Sequence, residues 1–174
     1  LSIVKEIDVG RGARGLGITD DGSTLVVAVR SSGELVLVDT NNSQIIKRIP
    51  IGENPEFVRI RDNKAFVSFE PAAIGGPPPK PGSKEADDLQ KKREENNEQP
   101  ARVAIVDLKL GEKLSEIQGG METEGIEFSF DHSKIIVTNE ADENLSVHDI
   151  STGKLVKKIN TSNYGNRPSG IQGT

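Results

Sequence analysis

From Ile135 to Ile159 apolar and polar positions alternate in three successive runs, IIVTN, NLSVHD and KLVKKI, with a polar turn after each of the first two. Alternation at period two over five or six residues predicts short strands that bury one face. The same grammar stands upstream in LVVAV (Leu25 to Val29), LVLVD (Leu35 to Asp39) and QIIKRI (Gln44 to Ile49). Gly15-Leu16 and Gly125-Ile126 open a fourth, preceding run in each copy. A further copy lies between them in PEFVRI, KAFVSF, VAIVD and EKLSEI, spread over Pro55 to Ile117 and interrupted by about thirty residues.

The step from Asp107 to Asp149 is 42 residues. A period of that length holding four strand signals is the sequence signature of a β-propeller blade, a four-stranded antiparallel sheet stacked face to face on its neighbours. The fold class read from the pattern is therefore all-β, a propeller covering about three blades with partial blades at both ends. The expected division is an outer strand of a preceding blade over 1–13, blades over 14–52, 53–120 and 121–160, and the start of another over 161–174. DDGS (Asp20 to Ser23), DHS (Asp131 to Ser133) and STG (Ser151 to Gly153) supply turn chemistry between strands. Asp39, Asp107 and Asp149 close the third strand of each copy, where a carboxylate accepts backbone hydrogen bonds from the turn that follows.

The segment GIEFSFDHSKIIVTNEADENLSVHDISTGKLVKKI resembles the YVTN-type β-propeller repeat. The matching pieces are Gly125-Ile126, Ser129 with Asp131, Val137-Thr138-Asn139, Val147-His148-Asp149 and Thr152-Gly153-Lys154; Ile136 replaces the usual Tyr and His132 the usual Gly. The resemblance implies a seven-bladed surface-layer or periplasmic propeller and hence a periplasmic or extracellular setting. It does not choose a function, because such propellers serve as binding platforms, dehydrogenase subunits, haem-carrying reductases and lactonases. Three blades cannot close a ring, so the expectation is a piece of a longer propeller, or else a half completed by another chain.

Composition narrows the partners. The chain of 174 residues is 3% aromatic, so its core rests on Ile, Val and Leu, which favour strands. With 27 acidic against 22 basic residues the net charge is −5, which argues against a surface shaped for nucleic acid. The absence of cysteine excludes disulfides and thiolate metal sites. No apolar run is long enough for a membrane-spanning helix.

The insertion from Glu70 to Ala101 opens with PAAIGGPPPKPG (Pro71 to Gly82), which dictates an extended or turning path. SKEADDLQKKREENNEQ follows, with Ser83 as N-cap and Glu85, Asp87 and Asp88 in the first turns, and predicts a helix. Its only apolar residues are Ala86 and Leu89, so the segment is read as a solvated excursion, with a lid or partner-docking arm as the sharper alternative.

Propeller loops between strands two and three, and between one blade and the next, gather at the mouth of the central channel. Arg30, Glu70 and Glu140 are placed at equivalent positions after strand two, and Arg14, Glu124 and Arg167 before strand one, with Asn54 and Glu56 in the second copy. Together with Asn139 these residues are the candidate site, for a protein partner, the remaining half of the propeller or a small polar ligand. Glu70, Glu124 and Glu140 would hold a hard cation only if they converged. His132 falls in a turn on the opposite face and His148 within strand three, and neither stands beside an acid and a nucleophile. No catalytic, metal or cofactor site is assigned. The reading is a non-catalytic binding or scaffold propeller, accessory to an exported redox system by resemblance; the alternative is part of a lactonase-like or dehydrogenase-like propeller enzyme with its catalytic residues in other blades.

Overall fold

The computed structural model describes residues 2–71, 80, 82–95 and 99–173. Its strands form three four-stranded antiparallel sheets, each with its strands in chain order. The first contains β1 (Ala13–Ile18), β2 (Thr24–Val29), β3 (Glu34–Asp39) and β4 (Gln44–Pro50). The second contains β5 (Pro55–Arg61), β6 (Lys64–Phe69), β7 (Arg102–Asp107) and β8 (Glu112–Gln118), and the third β9 (Thr123–Phe128), β10 (Lys134–Asn139), β11 (Asn144–Asp149) and β12 (Leu155–Asn160). These are propeller-type blades, as the 42-residue repeat predicts.

Alternation builds the stacking directly. Val26, Ala28, Leu35 and Leu37 of the first blade meet Val58, Ala65, Val67, Ala104 and Val106 of the second in one apolar layer. The opposite face of the second blade, through Phe66, Val103 and Ile105, packs on Ile126, Phe128, Ile135 and Val137 of the third. The first blade's other face, Val27, Val29, Val36 and Val38, is partly covered by Ile7 and Val9. Residues 2–10, where an outer strand is expected, carry no strand pairing among the described residues. Near the axis the inner strands approach closely. A Cβ on Gly15 would lie 2.1 Å from the Glu56 carbonyl oxygen, so this position of β1 admits only glycine.

The turns behave as their chemistry dictates. Asp107 Oδ1 accepts from the Leu110 and Lys109 amides, both at 2.9 Å, and Asp149 Oδ1 from Ser151 Oγ at 2.7 Å, Thr152 Oγ1 at 2.9 Å and the Thr152 amide at 3.0 Å. Those bonds favour the ionised form and hold both carboxyls below their ordinary range, a structural role. His132 has φ 57° where the first blade has Gly22 at φ 71°, so this histidine occupies a left-handed turn position that glycine fills more easily. In the insertion, α1 (Lys84–Glu95) begins after Ser83, whose Oγ accepts from the Ala86 amide at 3.3 Å. Most of the extended path expected for Pro71 to Gly82 lies outside the described residues.

Candidate functional site at the channel mouth

Each blade carries one extra residue near the start of its inner strand. Ala13 pairs with Val29 and Leu16 with Val27, so Arg14 and Gly15 together oppose Ala28. Pro55 pairs with Phe69 and Val58 with Val67, so Glu56 and Phe57 oppose Ser68. In the third blade Thr123 pairs with Asn139 and Gly125 with Thr138, leaving Glu124 as the extra residue. A bulge of this kind bends the strand and re-aims a side chain. Hydroxyls occupy the gap in the ladder: Ser68 Oγ accepts from the Phe57 amide at 3.0 Å and Thr138 Oγ1 from the Gly125 amide at 2.7 Å. The Thr of the Val137-Thr138-Asn139 motif thus satisfies a donor that the bulge orphans.

Two residues before each bulge residue the backbone enters the left-handed region, at Gly12, Asn54 and Glu122, with φ 76°, 49° and 54°, and Arg167, three residues before Gly170 as Glu122 is before Gly125, has φ 56°. This corrects the sequence alignment at one point. Arg167 is the counterpart of Asn54 and Glu122, whereas Arg14, Glu56 and Glu124 form the other set.

The structure joins these positions across blades. Glu56 pairs with Arg14 and with Arg30, each at 3.0 Å. Arg30 Nε also donates to Asn54 Oδ1 at 3.1 Å, and Asn54 Nδ2 donates to the Glu70 carbonyl oxygen at 3.2 Å. Arg167 bridges Glu140 and Glu122, the latter at 3.1 Å. Glu56, which the sequence places in the second copy of the site, and Glu122, which it did not single out, are therefore central to the ionic arrangement. The signal that would have found Glu122 is its register with Arg167.

Acids outnumber bases at this end. Burial pushes the Glu70 carboxyl up to about 7, helped by the nearby charges of Glu56, Glu122 and Glu124 and opposed by Arg30. Burial also raises Glu124, with Glu56, Glu140 and Glu122 adding to it. For Arg167 burial works against the charged form, but the bonds and charges of Glu140 and Glu122 outweigh it and raise its pKa. An open depression of about 670 Å³ lies beside Arg30, Ser31, Gly33, Gly52 and Asn54.

Asn139 does not line this mouth. It is fully buried, and its Oδ1 accepts from the Gly120 amide at 2.8 Å and Thr123 Oγ1 at 3.0 Å. Its Nδ2 donates to Asn144 Oδ1 at 2.9 Å and Ser146 Oγ at 3.0 Å. A residue with four internal bonds holds the blade together and has nothing left for a ligand. His148 is also interior, 3% exposed, and neither ring nitrogen has a hydrogen-bond partner among the described residues. Among the described residues no three His, Asp or Glu side chains are placed to hold a metal ion, so Glu70, Glu124 and Glu140 do not form a cation cage. No described helix is long and apolar enough to cross a membrane.

No protein-family model matches the chain, and no curated protein sequence matches it. Among solved structures the chain is similar to hydrazine synthase of Kuenenia stuttgartiensis, with a TM-score of 0.66 and 20% sequence identity. The match covers 90% of this chain and 39% of that one, so the chain spans about two fifths of the structure it resembles. Three sheets of the same strand order, stacked through apolar faces and matched to that structure over most of the chain, make this an all-β protein of propeller-type blades.

Proposed function

We propose that the chain is a binding part of a YVTN-type propeller, whose mouth takes a positively charged group of a partner protein or a small polar cation. The carrying observation is the convergence of Glu56, Glu70, Glu122, Glu124 and Glu140 on one end of the inner strands, with Arg14, Arg30 and Arg167 offsetting part of their charge. An arriving cation would offset the burial and the neighbouring negative charge that hold Glu70 and Glu124 toward their neutral forms, and the arginines would fix the carboxylates that receive it. The fold likeness to hydrazine synthase, together with the repeat resemblance, supports an exported redox system as the setting. It equally accommodates a second reading, in which these blades belong to a propeller enzyme whose chemistry is done elsewhere.

Titration of the full chain with spermidine, followed by backbone amide NMR, tests the binding reading. Saturable, salt-sensitive shifts at residues 54–57, 70, 122–125 and 140 are expected, and a Glu56→Gln/Glu124→Gln variant should lose most of them. Shifts spread evenly over the acidic surface, or none at the mouth at low salt, would overturn it.

A further inference from the structure

The far end of the same blades holds a second feature, independent of the mouth. Where β5 ends, the second and third blades part to leave a cleft of about 330 Å³. Its floor is apolar, built from Phe66, Ile105, Leu114 and Ile150. Its polar wall is Arg61, Asp62, Lys64 and His132, with Ser115 and Ser151 at the outer side.

The repeat explains why a cleft opens here and not one junction earlier. By strand register Ser115 is the counterpart of Lys47: Ser115 pairs with Ile105 as Lys47 pairs with Leu37. Lys47 crosses to the next blade and donates to the Leu110 carbonyl oxygen at 3.0 Å, lying so close that a Cβ on Gly111 would be 2.5 Å from its Cδ. Serine is too short to make that crossing. The turn between β5 and β6 is also tight, with only Asp62 and Asn63 between the strands, both left-handed, whereas five residues separate β1 from β2. The missing lysine and the short turn together leave the space unfilled.

The groups that face it are pre-arranged. The Arg61 guanidinium lies 5.5 Å from the centre of the Phe128 ring, and Phe128 meets Phe66 edge to face at 4.8 Å. Arg61 Nε is shielded from solvent and has no hydrogen-bond partner among the described residues. Neither Arg61 nor Lys64 forms a salt bridge with a carboxylate among the described residues, although Asp107 attracts Lys64 and Glu127 attracts Arg61 from further off. Asp62, by contrast, faces His132, with Oδ2 and Nδ1 3.7 Å apart. Two cations, neither in a direct salt bridge among the described residues, therefore stand beside an apolar floor, in a volume that suits a small molecule.

We propose that this inter-blade cleft binds a small carboxylate with a compact aromatic or branched apolar body. The carboxylate is received by Arg61 and Lys64 and the body rests on Phe66, Ile105 and Leu114. Arginine suits the first task because its planar fork matches a carboxylate in two-point geometry. The cleft lies wholly between two blades of this chain, so it can be tested on the full chain without a partner.

The probe is phenylacetate, titrated against labelled protein by NMR. Benzyl alcohol, with a similar body and no charge, and acetate, with the charge and no body, serve as comparisons. Saturable shifts at Arg61, Lys64, His132 and Ser151 are expected for phenylacetate alone. Arg61→Gln should weaken binding about tenfold. Ser115→Lys should abolish it by restoring the crossing that Lys47 makes, with the fold kept because the earlier junction already accommodates it. If Ser115→Lys fails to fold, Arg61→Gln and Lys64→Gln decide the matter. Equal binding of benzyl alcohol, undiminished binding in the folded Ser115→Lys protein, or no saturable binding of phenylacetate would each overturn the proposal.

Discussion

Replacing His148 by valine should stabilise the protein, and more so in acid. By register His148 is the counterpart of Val38 and Val106, which are 1% and 0% exposed, so valine fills this position in both other blades. The imidazole is 3% exposed and neither nitrogen has a well-formed hydrogen bond among the described residues, although the nearby Gly153 backbone eases the cost, which for a buried unsatisfied polar atom is about 1–3 kcal/mol. Against that stands the loss of ring volume, about 1–2 kcal/mol for the smaller side chain. Taking the low end, about 1–1.5 kcal/mol for each nitrogen and about 1 for the volume, the balance is a gain of about 1–2 kcal/mol near neutral pH, and at about 2–4 °C per kcal/mol for a chain of this size Tm should rise by about 2–8 °C. Burial also lowers the pKa of His148 from 6.5. On acidification the unfolded chain takes up this proton before the folded one, so His148 removes stability as pH falls below 6.5, by up to about 1.4 kcal/mol per pH unit until the folded pKa is reached. The valine protein escapes that loss. Thermal melts of both proteins at a series of pH values from about 8 down to about 5 cancel the titrations they share. A variant no more stable than the parent at neutral pH, or a Tm difference that does not widen below 6.5, would refute the argument.

Two further outcomes follow from the same kind of reasoning. Glu70, pushed up to about 7 from 4.5, binds its proton more tightly in the folded state, so its contribution to stability is lost as pH rises from 4.5 through 7. Glu70→Gln should match the parent in acid and exceed it by about 1 kcal/mol above pH 7, a figure reduced for the solvent screening of a half-buried group; equal melts at pH 8 would count against the acidic cluster. Asn139→Val should destabilise by about 2–4 kcal/mol in chemical unfolding although Val29 stands at the equivalent place, because the Gly120 amide, Thr123 and Ser146 lose their partner. Changing Ser146 to Val alongside it should recover part of that loss, and a neutral single variant would mean the network carries no stability.

The architecture was legible because each of its causes is local. Period-two alternation assigns every strand one face for each neighbouring blade, the Asp and Gly turns fold each strand back on the last, and a 42-residue repeat stacks the results. Ser83 and the acids after it announced α1 for the same reason. The mouth was legible only in part. The structure brings Arg14, Arg30, Glu70, Glu124, Glu140 and Arg167 to one end of the inner strands, but Arg167 has different counterparts from those of the sequence alignment, because a left-handed residue leaves no mark in hydropathy when it is Asn, Glu or Arg.

What the chain alone determined was the blade: which residues face each other within a repeat, and which are turns. Tertiary structure decided everything that depends on one blade meeting the next. Glu56 is shared by Arg14 and Arg30, which lie 42 and 26 positions away from it. Asn139, polar and next to the mouth in sequence, is interior because the bulge at Glu124 turns the strand over it. The cleft at Arg61 exists because one lysine of the repeat became Ser115, a change that looks ordinary until the neighbouring blade is in place. Contacts between residues this far apart are set by how stacked sheets register against one another, and no local pattern of apolar and polar positions encodes that distance.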